Sequence, residues 1–238
     1  MPGVRENTVN DSPDFSEAQP WGEPRPGREP AFNAPLVVIV LCVGLIGLYT
    51  GQSLTMSEFT VERLALSPER LADGHWSILF TSMFLHGSWM HVLANSVAAL
   101  AFGPPVARLF GENLRGAATF VGFYLVCGVI AGLGFVATDF WGSPPAVGAS
   151  GAIAGLIGAA ARIIEGRGRV GPLLGRTVIG MTVTWSLANV ILGVSGLTPG
   201  AMGMPVAWQA HLFGYAAGLL LIGPFARLAG RHGTVFTQ

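Results

Sequence analysis

Long apolar stretches follow one another along most of the chain, separated by short polar connections. Because a transmembrane helix needs about 20 mostly apolar residues, this pattern predicts six membrane-spanning helices, at roughly 34–51, 87–106, 116–138, 149–165, 174–194 and 208–228. The fourth stretch is short and rich in glycine, which predicts burial between neighbouring helices rather than broad contact with lipid. We therefore expect an all-α membrane protein built as a bundle of six transmembrane helices.

The remaining residues divide the chain into a membrane domain with a tail at each end. Residues 1–33 are rich in proline and charged side chains and show no cleavable signal peptide, so they are predicted to form a disordered N-terminal tail. The membrane domain covers 34–228, and 229–238 are predicted to be a short C-terminal tail. The polar linker 52–86 is expected to be a loop at the membrane interface, anchored by Trp76.

Arginine placement predicts the orientation of the bundle. Arginines follow the second, fourth and sixth stretches and are absent from the loops after the third and fifth; they are Arg108, Arg115, Arg162, Arg167, Arg169, Arg176, Arg227 and Arg231. By the positive-inside rule, both termini are expected in the cytoplasm. We expect a multi-pass protein of a bacterial inner membrane, in which the second, fourth and sixth helices all begin on the outer side.

The composition supports a membrane protein. Of all residues, 51% are hydrophobic and 11% are charged, whereas about 25% are charged in ordinary soluble domains. The net charge is zero, so the chain lacks the basic footprint of a nucleic-acid-binding protein, and no nucleic-acid partner is expected. The two cysteines lie in apolar stretches, which does not indicate a disulfide framework.

A serine and a histidine stand where two apolar stretches begin, and polar side chains in hydrocarbon are costly and usually functional. Ser150 could simply cap a helix, and His211 could be a packed, hydrogen-bonded histidine. Alternatively, His211 acts as general base toward Ser150 as nucleophile. Small residues at helical spacing would let the two helices pack closely; they are Gly151, Gly155 and Gly158 in one and Gly214 and Gly218 in the other. No acidic residue lies near either start, which predicts a dyad rather than a triad.

His91 and Asn95 lie four residues apart, on one face of the second predicted helix. Either they form interhelical hydrogen bonds, or they donate to the oxyanion that forms when the serine attacks, together with backbone N–H groups at Ser150 and Ala149. His86 is expected to give structural support. The spacing of His86 and His91 does not suit one helical face, and no carboxylate or cysteine lies near, so we expect no metal site.

Three strings together resemble the rhomboid family of intramembrane serine proteases. They are His86-Gly87-Ser88-Trp89-Met90-His91-Val92-Leu93-Ala94-Asn95, Gly148-Ala149-Ser150-Gly151 and Ala210-His211-x-x-Gly214-x-x-x-Gly218. The resemblance covers about residues 34–228 and implies a six-helix core with Ser150 as nucleophile and His211 as base. It also implies that His91 and Asn95 help to form the oxyanion hole. No cofactor is implied, and the implied substrates are single-span membrane proteins, cut near helix-destabilising small residues.

The chain departs from the family pattern at three places. Many members have Trp-Arg in the first loop, whereas Trp76 is followed by serine here, and many have a glutamate after the second helix, which residues 102–108 lack. An aromatic residue commonly lies four residues after the nucleophile and packs on the histidine. Here that position is Ala154, which leaves the support of His211 open, with Tyr215 as a candidate.

Two other classes of function compete with proteolysis. A non-catalytic rhomboid-like protein would bind client helices, but it would be expected to lack the serine or the histidine, and this chain has both. A small transporter or channel would be expected to show internal repeats, and no clear repeat is present. The sequence therefore predicts an intramembrane serine endopeptidase that cleaves transmembrane segments.

Overall fold

The computed structural model describes residues 34–139, 142–196 and 206–230. Within these ranges the chain is helical and forms no strand. Its helices are α1 (Leu36–Thr55), α2 (Glu58–Leu64), α3 (Pro68–Ala72), α4 (Ile78–Thr81), α5 (Trp89–Phe110), α6 (Leu114–Ala137), α7 (Ser150–Glu165), α8 (Arg176–Ser195) and α9 (Trp208–Leu228), with a 3₁₀ turn at Ser82–Phe84. The predicted tail 1–33, and 231–238 of the predicted C-terminal tail, lie outside the described residues.

The six predicted spans correspond to the six longest of these helices. Five of them (α1, α5, α6, α8 and α9) are 20 to 24 residues long and apolar enough to cross a membrane. Helix α7 has 16 residues, so at 1.5 Å per residue it extends about 24 Å, less than the roughly 30 Å of a hydrocarbon core. The predicted helical membrane bundle is confirmed, whereas the described residues contain five helices of full spanning length rather than six.

Helix α7 lies at the centre of the bundle. It contacts α5, α6, α8 and α9, and 12 of its 16 residues are buried. Other helices of the bundle therefore surround α7, which explains how a helix too short to span the hydrocarbon core is accommodated. The burial predicted for the fourth apolar stretch is confirmed.

Helices α7 and α9 pack backbone against backbone. A Cβ atom added at Gly214 would collide with the carbonyl oxygen of Gly151, and one added at Gly218 would collide with the carbonyl oxygen of Gly155. Any larger residue at these α9 positions would push the two helices apart. The spacing of small residues in the sequence thus predicts this contact, because small residues four apart commonly let membrane helices pack closely.

The C-terminal end of α7 is fixed to two neighbouring helices. Arg162 donates from Nε to the carbonyl of Gly171 at 2.8 Å and from Nη1 to the carbonyl of Leu219, on α9, at 2.9 Å. The Glu165 carboxylate accepts from the backbone N–H of Thr177 at 2.7 Å, in the first turn of α8. A carboxylate there satisfies a helix N–H that lacks an intrahelical partner. These bonds fix the direction in which α7 points its N-terminus.

The linker predicted as a plain interfacial loop is folded. It contains α2, α3, α4 and the 3₁₀ turn, and it buries an apolar cluster consisting of Leu66, Leu71, Ile78 and Leu79, packed with Phe135 of α6. The three α-helices are only 7, 5 and 4 residues long, too short to show a helical period in the sequence. Trp76 is 61% exposed.

Replacing Gly218 by alanine tests the backbone contact between α7 and α9. Because the added methyl group would overlap the Gly155 carbonyl, Gly218→Ala is expected to lower the free energy of unfolding by about 1–3 kcal/mol, the usual cost of overpacking. The control is Gly180→Ala on α8, where a Cβ meets nothing within 4 Å and alanine favours the helix. Thermal unfolding in detergent measures both variants, and equal midpoints would contradict the account.

Candidate active site

The start of α7 brings Ser150 against α9. The Oγ atom of Ser150 lies 2.8 Å from Nε2 of His211, an ordinary hydrogen-bond distance. Ser150 is the first residue of α7, Ala149 is the N-cap residue, and no side-chain cap is found at this terminus among the described residues. The alternative that Ser150 only caps a helix is therefore wrong, because its hydroxyl is directed to the histidine.

A third polar side chain reaches His211 from α8. The Nδ1 atom of His211 lies 2.7 Å from Oδ1 of Asn189. Asn189 is not among the site residues predicted from the sequence, where only acidic residues were weighed as partners of the histidine. One signal was available: Asn189 interrupts the apolar run 187–191, and a polar side chain in hydrocarbon is costly unless it has a partner.

The aromatic support expected for His211 is absent from position 154. Ala154 is completely buried, and Tyr215 directs its hydroxyl to Thr182 on α8, with 3.2 Å between the two oxygens. The Tyr215 ring stacks on Trp185, with 6.1 Å between ring centroids and 18° between planes. Tyr215 thus links α9 to α8. The Nδ1 side of the His211 ring is instead paired with Asn189, whose amide oxygen accepts the hydrogen bond.

Helix α5 brings His91 close to the serine. A Cβ atom at Gly148 would lie 2.7 Å from Cε1 and 2.8 Å from Nε2 of His91, so the imidazole lies against the backbone two residues before Ser150. Gly148 also has a φ of +125°, a conformation that favours glycine. Both constraints require glycine at this position.

Asn95 lies one turn after His91 on the same face of α5. Its side chain is buried, and its amide nitrogen has no hydrogen-bond partner among the described residues. A buried donor without a partner costs about 1–3 kcal/mol. The Asn95 amide nitrogen is therefore available to donate to a bound group.

Backbone hydrogen bonds hold the segment that leads into Ser150. Ala146 and Leu66 exchange two of them, at 2.8 and 2.9 Å, and the N–H of Gly148 donates to the carbonyl of Ser82 at 2.9 Å. The folded linker therefore holds the segment that precedes α7 in place. Its position fixes where the first turn of α7 begins.

Comparison with known proteins identifies the family. The family model of the rhomboid domain matches residues 73–227, a range that includes every site residue described above. The chain belongs to the rhomboid family.

Three relatives show how far the similarity extends. The rhomboid protein YdcA of Bacillus subtilis is 30% identical over 151 residues, covering 63% of this chain and 68% of YdcA. RHOMBOID-like protein 5 of Arabidopsis thaliana is 33% identical over 101 residues, covering 42% of this chain and 31% of the relative. Rhomboid protease GluP of Bacillus subtilis is 34% identical over 89 residues, covering 37% of this chain and 16% of GluP. The chain thus spans less than a third of the latter two.

As a rhomboid, the chain is an integral multi-pass membrane protein and a serine intramembrane protease. The geometry supplies groups that suit this activity: a hydroxyl next to an imidazole, and the buried amide nitrogen of Asn95 on a neighbouring helix. Within the described ranges, no group of three or more His, Cys, Asp or Glu side chains is arranged to hold a metal ion.

In this rhomboid, His86 precedes α5 and is held by α1. The Gln52 side chain donates to the carbonyl of His86 at 2.7 Å and accepts from its N–H at 3.0 Å. The His86 ring meets the His91 ring edge-on, with 5.1 Å between centroids. Burial, together with the nearby His91, lowers the pKa of His86 to about 4, so the ring is neutral at physiological pH. These contacts support a structural role for His86 and add Gln52, which was not predicted from the sequence.

Proposed function

We propose that this rhomboid cleaves transmembrane segments of other membrane proteins through a reaction carried by Ser150 and His211. The observation that carries the proposal is the 2.8 Å contact between the serine hydroxyl and Nε2 of the imidazole. Both side chains are partly exposed, which leaves access for a peptide and for water. A nucleophile within hydrogen-bond reach of a base is the arrangement that covalent catalysis requires.

In the first half of the reaction, Nε2 of His211 accepts the proton of the Ser150 hydroxyl while Oγ bonds to the carbonyl carbon of the scissile peptide. The resulting tetrahedral intermediate carries a negative oxygen. Its carbon–nitrogen bond then breaks as His211 gives the proton to the leaving amine, and an ester remains on Ser150.

In the second half, water attacks the ester carbonyl while His211 accepts a proton from it. The bond between the carbonyl carbon and Oγ breaks, and the proton on His211 returns to Ser150. The new carboxyl terminus leaves, and the enzyme regains its starting protonation state. No cofactor enters this scheme.

We further propose that His91, Asn95 and backbone N–H groups at Ser150 and Ala149 stabilise the negative oxygen. Helix α7 begins beside the nucleophile without a side-chain cap among the described residues, and N–H groups in the first turn of a helix favour an anion. The unpartnered Asn95 amide nitrogen and the His91 ring next to Gly148 support this role.

The proposed substrates are single-span membrane proteins, cut near small residues that destabilise a helix. A peptide carbonyl within a membrane helix is already hydrogen-bonded. Glycine and other poor helix formers lower the cost of opening that segment, so that its carbonyl can reach Ser150.

We propose that the protein resides in a bacterial inner membrane with both termini in the cytoplasm. The arginines support this orientation, and similarity to two Bacillus subtilis proteins supports a bacterial membrane. Ser150 and His211 lie at the N-terminal ends of their helices, which in this orientation is the outer side. The active site would then open toward the outer face.

Replacing the two reacting residues tests the proposed mechanism. Ser150→Ala and His211→Ala should each abolish cleavage of a fluorescent single-span substrate in proteoliposomes, because the nucleophile or its base is lost. Thermal unfolding should show that both variants remain folded. Cleavage that persists in Ser150→Ala would refute the nucleophile, and wild type that neither cleaves nor reacts with a serine probe would favour client binding.

Replacing Asn95 tests the proposed oxyanion donor. Asn95→Ala should lower kcat about 100- to 1,000-fold, the usual loss when one such donor is removed. The matched control is Ser96→Ala, since the buried Ser96 hydroxyl donates to the carbonyl of Val92 within α5. If Asn95→Ala and Ser96→Ala have the same kcat, Asn95 does not stabilise the oxyanion.

Introduced cysteines test the orientation. Leu114 is 88% exposed at the start of α6 and Trp76 is 61% exposed in the linker, whereas Cys42 and Cys127 are buried. An impermeant thiol reagent should label Trp76→Cys in right-side-out vesicles and Leu114→Cys in inverted ones. The reverse pattern would place both termini outside.

A further inference from the structure

The amide of Asn189 is held in one orientation by its own helix. Its nitrogen Nδ2 donates to the carbonyl of Trp185, one turn earlier in α8, at 3.0 Å. That bond leaves Oδ1 facing Nδ1 of His211, at 2.7 Å. A carbonyl oxygen can only accept, so Nδ1 is the ring nitrogen that carries the proton.

This assignment determines what the other ring nitrogen can do. A neutral imidazole with its proton on Nδ1 has a lone pair on Nε2. That lone pair faces the Ser150 hydroxyl at 2.8 Å and can accept its proton. The opposite tautomer would direct an N–H at the serine and could not act as its base.

We propose that Asn189 is a positioning residue, which holds His211 in the tautomer and ring orientation that activate Ser150. The site then operates as a Ser-His-Asn triad rather than the dyad that the sequence predicts. This inference rests on the proposed function, because it assigns a role in the same reaction. Histidine bases in soluble hydrolases are commonly oriented by a third group in this way.

An amide suits this role inside a membrane bundle. When Nε2 takes up the serine proton, Nδ1–H continues to donate to Oδ1, and the positive charge strengthens that bond. An aspartate would add a permanent negative charge, which is expensive to bury in the membrane. Asn189 thus stabilises the imidazolium that forms during the reaction, without the cost of a buried carboxylate charge while the imidazole is neutral.

Among the residues that the structure describes, no acidic group competes for the histidine. His91 of α5 is the titratable side chain that acts on His211 electrostatically, and Tyr215 on α9 directs its hydroxyl to Thr182. The described residues supply no carboxylate that acts on the imidazole, and the internal segments 140–141 and 197–205 contain no ionisable residue. Asn189 is therefore the acceptor on which the tautomer depends.

A purely structural role for Asn189 is the competing explanation, and the chain offers a control for it. Helix α8 buries only Val178, and two described hydrogen bonds between side chains join it to α9. One is the bond from His211 to Asn189, and the other links Thr182 to Tyr215. Thr182→Val removes the second bond and leaves the histidine untouched, so it measures what weaker docking of α8 costs.

The test compares kcat and KM across pH in proteoliposomes for wild type, Asn189→Ala, Asn189→Asp, Thr182→Val and Ser150→Ala. In Asn189→Ala we expect kcat to fall about 100-fold, as misplacement of a reacting group by 1 Å does, with KM unchanged. Thr182→Val should retain the wild-type kcat. Asn189→Asp should have a higher kcat than Asn189→Ala, because its carboxylate oxygen can again accept from Nδ1. Its kcat/KM profile should have the acidic limb at higher pH than wild type, because a carboxylate stabilises the protonated imidazole and so raises the pH below which the base is lost.

Three results would overturn the inference: wild-type kcat in Asn189→Ala, an equal loss in Thr182→Val, or an acidic limb in Asn189→Asp that coincides with that of wild type. If Asn189→Ala does not fold, the pH profile of Asn189→Asp decides alone. Cleavage by Ser150→Ala would refute the proposed function itself. An inactive Ser150→Ala beside fully active Asn189 variants would overturn only the role of Asn189.

Discussion

The contact between the backbones of α7 and α9 sets the distance between the serine hydroxyl and the imidazole. Gly214 and Gly218 lie directly on carbonyl oxygens of α7, so the two helices are as close as backbones allow. Lipid provides no hydrophobic force that drives membrane helices together, and close van der Waals packing must hold them. The glycines that stabilise the bundle therefore also bring Ser150 to 2.8 Å from His211.

The described site works with dipoles instead of fixed charges. A hydroxyl, an imidazole and an amide form a chain across α7, α9 and α8, and Asn95 adds an unpartnered amide from α5. In a low-dielectric interior such hydrogen bonds are stronger than in water, and ionised groups cost more. Polar neutral side chains thus supply orientation and stabilisation at a cost that the membrane tolerates.

The parts of the fold that the sequence predicts are those that carry a periodic or local signal. Hydropathy located the long helices, and the spacing of small residues indicated that Ser150 and His211 would meet. The helices of the linker could not be predicted, because they are too short to show a helical period in the sequence. The contact of Asn189 with His211 could not be predicted for a different reason. It depends on how α8 lies against α9, and no local sequence pattern indicates that arrangement. The short length of α7 is likewise explained only by the tertiary structure, because other helices bury it.

The most direct test of the account is to identify the residue that a fluorophosphonate modifies. Because His211 activates the Ser150 hydroxyl, mass spectrometry of the labelled wild-type protein should find the adduct on Ser150 alone. Labelling should disappear in His211→Ala. An adduct on another serine, or undiminished labelling of Ser150 without the histidine, would contradict the claim that these two side chains form one reactive unit.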